Sequence, residues 1–221
     1  MAQNWLKYLE LLMDQYRNKK HPLDYHSRYQ LLIMVILSAQ DSDKNINGLA
    51  PAFFDAYPSI NSLVGATAED LHRYVSKIRN FGHKANWIVK LATMIGDDDN
   101  IPTTMAELTK LPGIGRKSAN VIMREAGKEA EGIIVDLHVV RVAPRIGIAS
   151  GTQPEKIEKQ LMALVPQKHW GQVGMAISFL GREICRPTNP KCDSCIMTKV
   201  CYHLNGTPTN EGSDNLELTL F

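Results

Sequence analysis

The sequence has no hydrophobic run long enough to cross a membrane. Its longest uninterrupted apolar stretch, residues 31–37, has seven residues, whereas a membrane-spanning helix needs about 20. A secretory signal is also missing, because the first helix-like stretch, residues 5–16, carries Lys7, Glu10 and Asp14 where such a signal has its apolar centre. These absences predict a soluble, cytoplasmic protein.

No sign of charge dominates the chain as a whole. Lysine and arginine number 25, aspartate and glutamate 23, and the formal net charge is +2, which excludes an acidic disordered protein and a strongly basic tail. Two segments, 77–90 and 110–124, each contain four basic residues and no acidic one. A charge run is usually only a solvated face, but two such runs beside glycine turns favour a phosphate-binding surface.

Cysteine is absent except in one 17-residue segment. A disulfide framework would spread bridges over the fold and would need an oxidising compartment. Four thiols packed this closely, with the spacing C-x6-C-x2-C-x5-C, indicate a metal or cluster site, for which zinc is one candidate. The four residues are Cys185, Cys192, Cys195 and Cys201.

A sustained two-residue alternation of apolar and polar residues, typical of strands, is also missing. The apolar run 31–37 predicts a central buried helix. The string Thr67-Ala68-Glu69-Asp70 resembles a capping box at a helix start, and Gly96 followed by three aspartates predicts a helix end. We therefore predict an all-α protein.

The sharpest local motif is L-P-G-I-G-R-K-S-A-N at residues 111–120. Pro112 and Gly113 predict a tight turn, and Gly115 permits close approach. A helix beginning near Arg116 would direct unpaired N–H groups and its dipole at a DNA phosphate. A plain helix–helix turn is the alternative, but it needs only one glycine. The full string therefore favours a helix-hairpin-helix motif, which binds backbone without reading sequence.

This hairpin, the string V-D-L-H at 135–138 and the cysteine spacing together resemble the endonuclease III family of DNA glycosylases, and L-S-A-Q at 37–40 also matches. The similarity runs from residue 29 to residue 202. It implies a two-lobed helix-hairpin-helix DNA glycosylase fold with a [4Fe-4S] cluster loop. The expected parts are a six-helix barrel domain with the hairpin at 21–130, an iron–sulfur cluster domain from 1–20 and 131–203, and a flexible tail at 204–221.

The resemblance implies that the four cysteines hold a [4Fe-4S] cluster. Structural zinc sites usually contain two C-x2-C pairs, and this sequence has one, Cys192 with Cys195. The expected role of the cluster is structural. The loop 186–191 between the first two cysteines should present Arg186 and Lys191 to the DNA backbone, although a solvated loop stapled by the cluster is the alternative.

The resemblance also implies that Lys117 is the catalytic nucleophile and Asp136 its carboxylate partner, in the cleft between the lobes. Base loss leaves positive charge on the sugar, which a carboxylate stabilises, and a lysine amine can form a Schiff base once it has lost its proton. Arg116 and the helix N-terminus both disfavour a further positive charge beside them. The alternatives are a phosphate contact for Lys117 and a helix N-cap for Asp136.

The expected activity is a bifunctional DNA glycosylase with abasic-site lyase activity, acting on oxidised pyrimidines in duplex DNA during base excision repair. A Schiff base acidifies the neighbouring sugar proton, so that β-elimination nicks the strand. Adenine and thymine-mismatch glycosylases of this superfamily lack the lysine. A re-targeted glycosylase on the same fold, a non-catalytic DNA-binding protein and redox signalling through the cluster are the alternatives. We expect a monomer at the bacterial or archaeal nucleoid.

Two loops are expected to enter the gap left by an extruded base. One carries Gln40, whose alternative is an exposed helix end. The other carries Asn80 at the usual leucine wedge, so that Phe81 is expected to stack instead unless it is a core aromatic. Leu137 is a second departure from the family, and His138 is either a packed histidine or a site residue. The full set of predicted DNA contacts is Gln40, Asn80, Phe81, His83, Lys84, Gly113, Gly115, Arg116, Ser118, Arg186 and Lys191.

The last five residues interrupt a polar tail with apolar side chains, which disordered tails usually lack. They resemble the pentapeptide with which bacterial proteins bind the sliding clamp, although glutamate replaces the usual glutamine. The alternative is a hydrophobic latch that folds back on the protein. The residues are Glu217, Leu218, Thr219, Leu220 and Phe221.

Overall fold

The computed structural model describes residues 5–206, and within this range the regular structure is helical, without a β-strand. The predicted all-α fold is confirmed. None of the helices in this part of the chain is long and apolar enough to span a membrane. The α-helices are α1 Trp5–Gln15, α2 Arg28–Leu37, α3 Asp43–Ala56, α4 Ile60–Leu63, α5 Ala68–Val75, α6 Phe81–Ile95, α7 Met105–Leu108, α8 Arg116–Glu125, α9 Leu137–Ile146, α10 Pro154–Leu164, α11 Trp170–Glu183 and α12 Tyr202–Asn205.

The chain divides into two compact units. The hairpin unit comprises Asn18–Ile134 and Gln167–Gln172, and the cysteine unit comprises the remaining segments, Met1–Arg17, Val135–Pro166 and Val173–Phe221. This division differs from the one predicted from sequence in the segments 18–20, 131–134 and 167–172, which were grouped with the cysteines. The Gln167 side-chain amide donates to Glu129 Oε1 at 3.3 Å, a contact within the hairpin unit.

The hairpin unit is built around α2. Its side chains from residue 31 to residue 37 are all buried, together with Tyr29, as the apolar run predicted. Ser27 caps its N-terminus by accepting from the Gln30 N–H, and the Tyr29 hydroxyl donates to the Tyr57 carbonyl at 2.6 Å. Because α3, α6 and α8 all pack against α2, this helix is the common support of the loops and the hairpin described below.

Local signals set the ends of the helices around the core. Thr67 and Asp70 form a reciprocal capping box at the start of α5, as predicted. Gly96 ends α6 with a φ of 75°, a left-handed value that glycine adopts at little cost. The acidic run after Gly96 therefore lies outside the helix, also as predicted.

The cysteine unit contains α1, α9, α10, most of α11 and α12. Aromatic rings join its distant segments: Trp5 packs edge-to-face on Tyr202 with ring centroids 5.4 Å apart, and Tyr16 lies 5.5 Å from Phe179. The predicted tail began at residue 204, but α12 continues to Asn205, whose side-chain amide donates to the Thr198 carbonyl at 2.8 Å. The clamp-like residues 217–221 lie outside the described part of the chain.

Candidate active site

The hairpin turn lies between α7 and α8, and its two glycines have different roles. Gly113 has a φ of 79°, and a Cβ atom there would lie 2.8 Å from a ring carbon of Trp87. A side chain at Gly113 is therefore opposed by both the backbone and the packing. Gly115 has an extended backbone, with φ −92°, and a Cβ there would meet no protein atom within 4 Å. Gly115 thus leaves the start of α8 open.

The N-terminus of α8 has the properties of an anion site. No side chain caps it and no acidic residue lies in its first turn, while Arg116 and Lys117 are both exposed there. Ser118 follows, half-buried. The Arg116 guanidinium donates to the Glu131 carbonyl at 2.7 Å, which orients it beside the helix start. Uncapped N–H groups, the helix dipole and two cations together favour a phosphate group.

Asp136 is the N-cap of α9 and belongs to the cysteine unit. Its Oδ1 accepts from the N–H groups of His138 and Val139, both at 2.9 Å. Its Oδ2 accepts from the Ser178 hydroxyl at 2.6 Å and lies 3.7 Å from Arg182 Nη2. The N-cap alternative is therefore an observed role of Asp136. The same contacts hold the carboxylate in one orientation and stabilise its negative charge.

Ser178 was missed in the sequence analysis. It is completely buried in α11, inside the apolar string M-A-I-S-F-L at residues 175–180. A single hydroxyl in such a string is a usable signal, because a buried hydroxyl needs a hydrogen-bond partner. Arg182, one turn later, was missed as well. Both residues contact Asp136 although they follow it in the sequence by more than 40 positions.

From the catalytic role that the sequence resemblance implies for Asp136, replacement of Ser178 by alanine is expected to slow base excision about tenfold, which corresponds to about 1.4 kcal/mol. The variant removes a hydrogen bond to a charged group, and such bonds contribute about 1.5–3 kcal/mol. Single-turnover excision kinetics measure the effect. Ser178→Thr should restore most of the rate. Ser150→Ala is the control, because the Ser150 hydroxyl lies 3.2 Å from Gln160 Oε1 and does not contact Asp136. Equal losses of rate in both alanine variants would contradict a role of Ser178 through Asp136.

Gln40 and Asn80, the two residues predicted to probe the gap, share an unusual backbone. Both are exposed, and both adopt positive φ values, 59° and 55°. Non-glycine residues rarely take this conformation, and surrounding contacts must maintain it. Both belong to the hairpin unit, one after α2 and the other immediately before α6.

Three predicted DNA contacts beside Asn80 have different surroundings. Phe81 is half-buried and packs edge-to-face on the His72 ring with centroids 5.0 Å apart. His83 is exposed. Lys84 is only 1% exposed, and its ammonium donates to the Leu37 carbonyl at 2.7 Å. Its assignment as a DNA contact is therefore wrong, because a buried ammonium bonded to the backbone is not presented to a phosphate.

In the cysteine unit, α9 anchors the start of the cysteine segment. Arg141 Nη2 donates to the Gly181 carbonyl at 2.9 Å and contacts the Cys185 carbonyl at 3.3 Å. Arg145 Nη1 donates to the Arg186 carbonyl at 2.8 Å. Arg186 and Lys191 are both exposed. The helix that Asp136 caps therefore also fixes the backbone of the loop that presents these two cations.

The four cysteines meet the chemical requirements of an iron–sulfur site. None of the four forms a disulfide bond, and all four line one cavity. Burial raises the pKa of the Cys195 thiol, and charge repulsion from the other three cysteines raises it further. Bound iron would offset this repulsion. Four thiols on one cavity are a donor set that a [4Fe-4S] cluster accepts, and so does a zinc ion.

Comparisons with known proteins agree with this geometry. The family model of the HhH-GPD superfamily base excision DNA repair protein matches residues 33–167. Endonuclease III of Synechocystis is 35% identical over 195 residues, 87% of this chain and 89% of the relative. A non-covalent endonuclease III–DNA complex has a TM-score of 0.83 at 31% identity, covering 93% of this chain and 97% of that chain. A trapped endonuclease III–DNA covalent intermediate has a TM-score of 0.81 at 31% identity, covering 90% and 94%. The chain therefore belongs to the endonuclease III family within the HhH-GPD superfamily of base excision DNA repair proteins, as the sequence predicted.

Proposed function

We propose that this protein is a bifunctional DNA glycosylase that removes oxidised pyrimidines from duplex DNA and then nicks the abasic site. The observation that carries the proposal is an exposed lysine, Lys117, in the uncapped first turn of the hairpin helix α8. A phosphate contact alone needs only a cation there, and Arg116 already supplies one. An amine beside bound DNA adds a nucleophile to a phosphate site. The relatives include an endonuclease III trapped covalently with DNA.

Asp136 and Lys117 divide the chemistry between charge stabilisation and covalent attack. As the bond between the base and C1′ of the sugar breaks, its electron pair leaves with the base. The Asp136 carboxylate stabilises the positive charge that develops on the sugar. The unprotonated Lys117 amine attacks C1′, loses a proton and forms a Schiff base as the sugar ring opens. Loss of a C2′ proton then expels the 3′ phosphate, and hydrolysis of the Schiff base frees the lysine.

DNA binding is divided between backbone contacts and the gap left by the base. The start of α8, with Arg116, binds one backbone phosphate, and the exposed Arg186 and Lys191 bind another part of the backbone. Such contacts orient the duplex without reading its sequence. Extrusion of the damaged base leaves an unfilled position in the stack, and Gln40 and Asn80 enter it.

The cysteine segment, residues 185–201, would hold a [4Fe-4S] cluster through Cys185, Cys192, Cys195 and Cys201. When bound, the cluster supplies four iron–thiolate cross-links and no step of the excision chemistry. It fixes the loop of residues 186–191, whose backbone Arg145 also holds. The contribution of the cluster to DNA binding is therefore the fixed position of two exposed cations.

Replacement of Cys195 by alanine is expected to remove the visible absorbance and the iron of the cluster. Loss of a structural metal site is among the largest single-residue effects, about 4 kcal/mol, which corresponds to a drop in Tm of roughly 8–16 °C. Iron analysis, absorbance and thermal unfolding measure these changes. Ser194→Ala, in the same turn, is the control. Retention of iron in the Cys195 variant would contradict the ligand assignment.

The test of the proposed function is borohydride trapping on duplex oligonucleotides that contain thymine glycol, dihydrouracil, uracil, a G·T mismatch or an abasic site. We expect covalent adducts with the two oxidised pyrimidines and the abasic site. Adducts at the abasic site alone would preserve the lyase activity and overturn the substrate class. Absence of an adduct on every substrate would show that Lys117 is not a nucleophile and only contacts a phosphate.

A re-targeted glycosylase is the second candidate, and two exposed residues favour it. Leu137, beside the proposed catalytic carboxylate, is 70% exposed, where the family usually has a small polar residue. Asn80 replaces the usual leucine wedge. Both departures affect what the site contacts without changing Lys117 or Asp136. Trapping on the G·T mismatch in preference to the oxidised pyrimidines would support this candidate.

A further inference from the structure

The strained conformations of Gln40 and Asn80 need contacts that maintain them. Positive φ at a non-glycine residue persists where the surrounding structure over-determines the backbone. Gln40 lies in the loop between α2 and α3, and Asn80 lies between α5 and α6. The two residues are 40 positions apart in the chain, so neither loop can fix the other through local sequence.

One carboxylate joins the two loops. Asp41 follows Gln40, and its Oδ1 accepts from the Ser42 N–H at 2.8 Å and from the Asn45 amide at 3.0 Å. Its Oδ2 accepts from the N–H of Arg79, the residue before Asn80, at 3.0 Å. Although burial opposes it, these hydrogen bonds and nearby Lys84 lower the pKa of Asp41. Asp41 is therefore ionised at neutral pH and holds a backbone group in each loop.

Lys84 makes a second link between the same segments. It lies in the first turns of α6, and its ammonium donates at 2.7 Å to the carbonyl of Leu37, the last residue of α2. Helix C-terminal carbonyls lack internal partners and favour a cation. Desolvation lowers the pKa of Lys84, and the charge of Asp41 opposes this shift. The start of the first loop and the end of the second are thus joined through a buried amine.

We propose that Asp41 and Lys84 are positioning residues that hold the Gln40 and Asn80 loops as one preformed wedge. Asp41 joins the exposed ends of the loops, and Lys84 joins their helical bases. The side chains of Gln40 and Asn80 then enter the duplex together instead of being ordered separately during base extrusion. This inference rests on the proposed function, in which Gln40 and Asn80 fill the position of the extruded base.

The test compares a lesion in fully paired DNA with the same lesion in a small unpaired bubble. A base that is already unpaired needs little help to leave the stack. We expect Asp41→Ala to slow single-turnover excision about tenfold on the paired duplex, because misplacement of a positioned group by about 1 Å costs up to about a hundredfold. The rate on the bubble should change by less than about twofold, since extrusion no longer limits it.

A second readout follows extrusion directly. A 2-aminopurine placed opposite the lesion brightens as it loses its stacking, and the Asp41→Ala variant should show a smaller and slower rise in fluorescence. Asp41→Asn retains one acceptor oxygen and should restore part of both the rate and the fluorescence change. Asp43→Ala is the matched control, because it removes the same charge two residues away and leaves the bond between Asp41 and Arg79 in place.

Equal losses on paired and bubble DNA would overturn the proposal, because a merely structural role moves both rates alike. An unchanged rate on paired DNA would overturn it too. Lys84→Met should reproduce the duplex-specific loss, and if this variant does not fold, the Asp41 variants still decide the question. A Gln40→Ala and Asn80→Ala double variant separates a failure of the proposed function from a failure of this inference. Full activity of the double variant would refute the proposed role of the loops in extrusion, whatever the Asp41 variants show.

Discussion

Lys117→Ala is expected to abolish the borohydride adduct and to reduce strand nicking by at least about a thousandfold. Removal of a covalent nucleophile has effects of this size or larger, because alanine carries no group that could form the Schiff base. Lys117 lies in the first turn of α8, and its neighbour Arg116 carries a guanidinium instead of an amine. Trapping gels and single-turnover nicking on abasic DNA measure the loss.

The control for this variant is Lys110→Ala, which removes one positive charge from the segment leading into the same hairpin. Both side chains are exposed, and each variant removes one positive charge, so both should weaken DNA binding and lower its salt dependence. Only the Lys117 variant should lose the covalent adduct. A persistent adduct in Lys117→Ala would place the nucleophile elsewhere, and equal nicking by the two variants would reduce Lys117 to a phosphate contact.

Asp136→Asn is expected to slow base excision about a hundredfold to a thousandfold, the range found when a group that stabilises developing charge is removed. Asparagine is also a good helix N-cap, so its side-chain oxygen can still accept from the His138 and Val139 N–H groups. The expected cost in stability is therefore only about 1 kcal/mol, or roughly 2–4 °C in Tm. Excision kinetics and thermal unfolding measure the two effects separately.

Asp136→Ala distinguishes the two roles of this residue. It loses the cap, at a cost of about 1 kcal/mol, and leaves the buried Ser178 hydroxyl without the carboxylate oxygen it now contacts at 2.6 Å. Its excision rate should match that of the asparagine variant, while its Tm should be lower. If Asp136→Asn kept the full rate and only Asp136→Ala were impaired, Asp136 would be a structural cap and no more.

Features with short-range causes were predictable from the sequence. The capping box at Thr67 and Asp70 involves residues three apart, and the end of α6 at Gly96 depends on one residue's backbone freedom. The hairpin string likewise contains its own turn and its own helix start. These elements were recognisable because each is determined within a few residues.

The environment of the site was less predictable, because it depends on partners far away in the chain. Lys84 belongs to a basic run that suggested an exposed face, yet its partner is the Leu37 carbonyl, 47 positions earlier. Ser178 reaches Asp136 across 42 positions. Neither pairing leaves a pattern in the local sequence, and tertiary packing alone decides whether a charged side chain meets solvent or a backbone carbonyl.

The missing side chain of Gly113 leaves room for Trp87, because a Cβ atom at position 113 would lie 2.8 Å from a carbon of the indole ring. Trp87 lies in α6, the helix that Asn80 precedes, so the turn of the proposed phosphate site and the loop that carries Asn80 both adjoin the same helix. A side chain at position 113 would therefore push the turn away from α6, and the proposed phosphate site would move relative to the Asn80 loop.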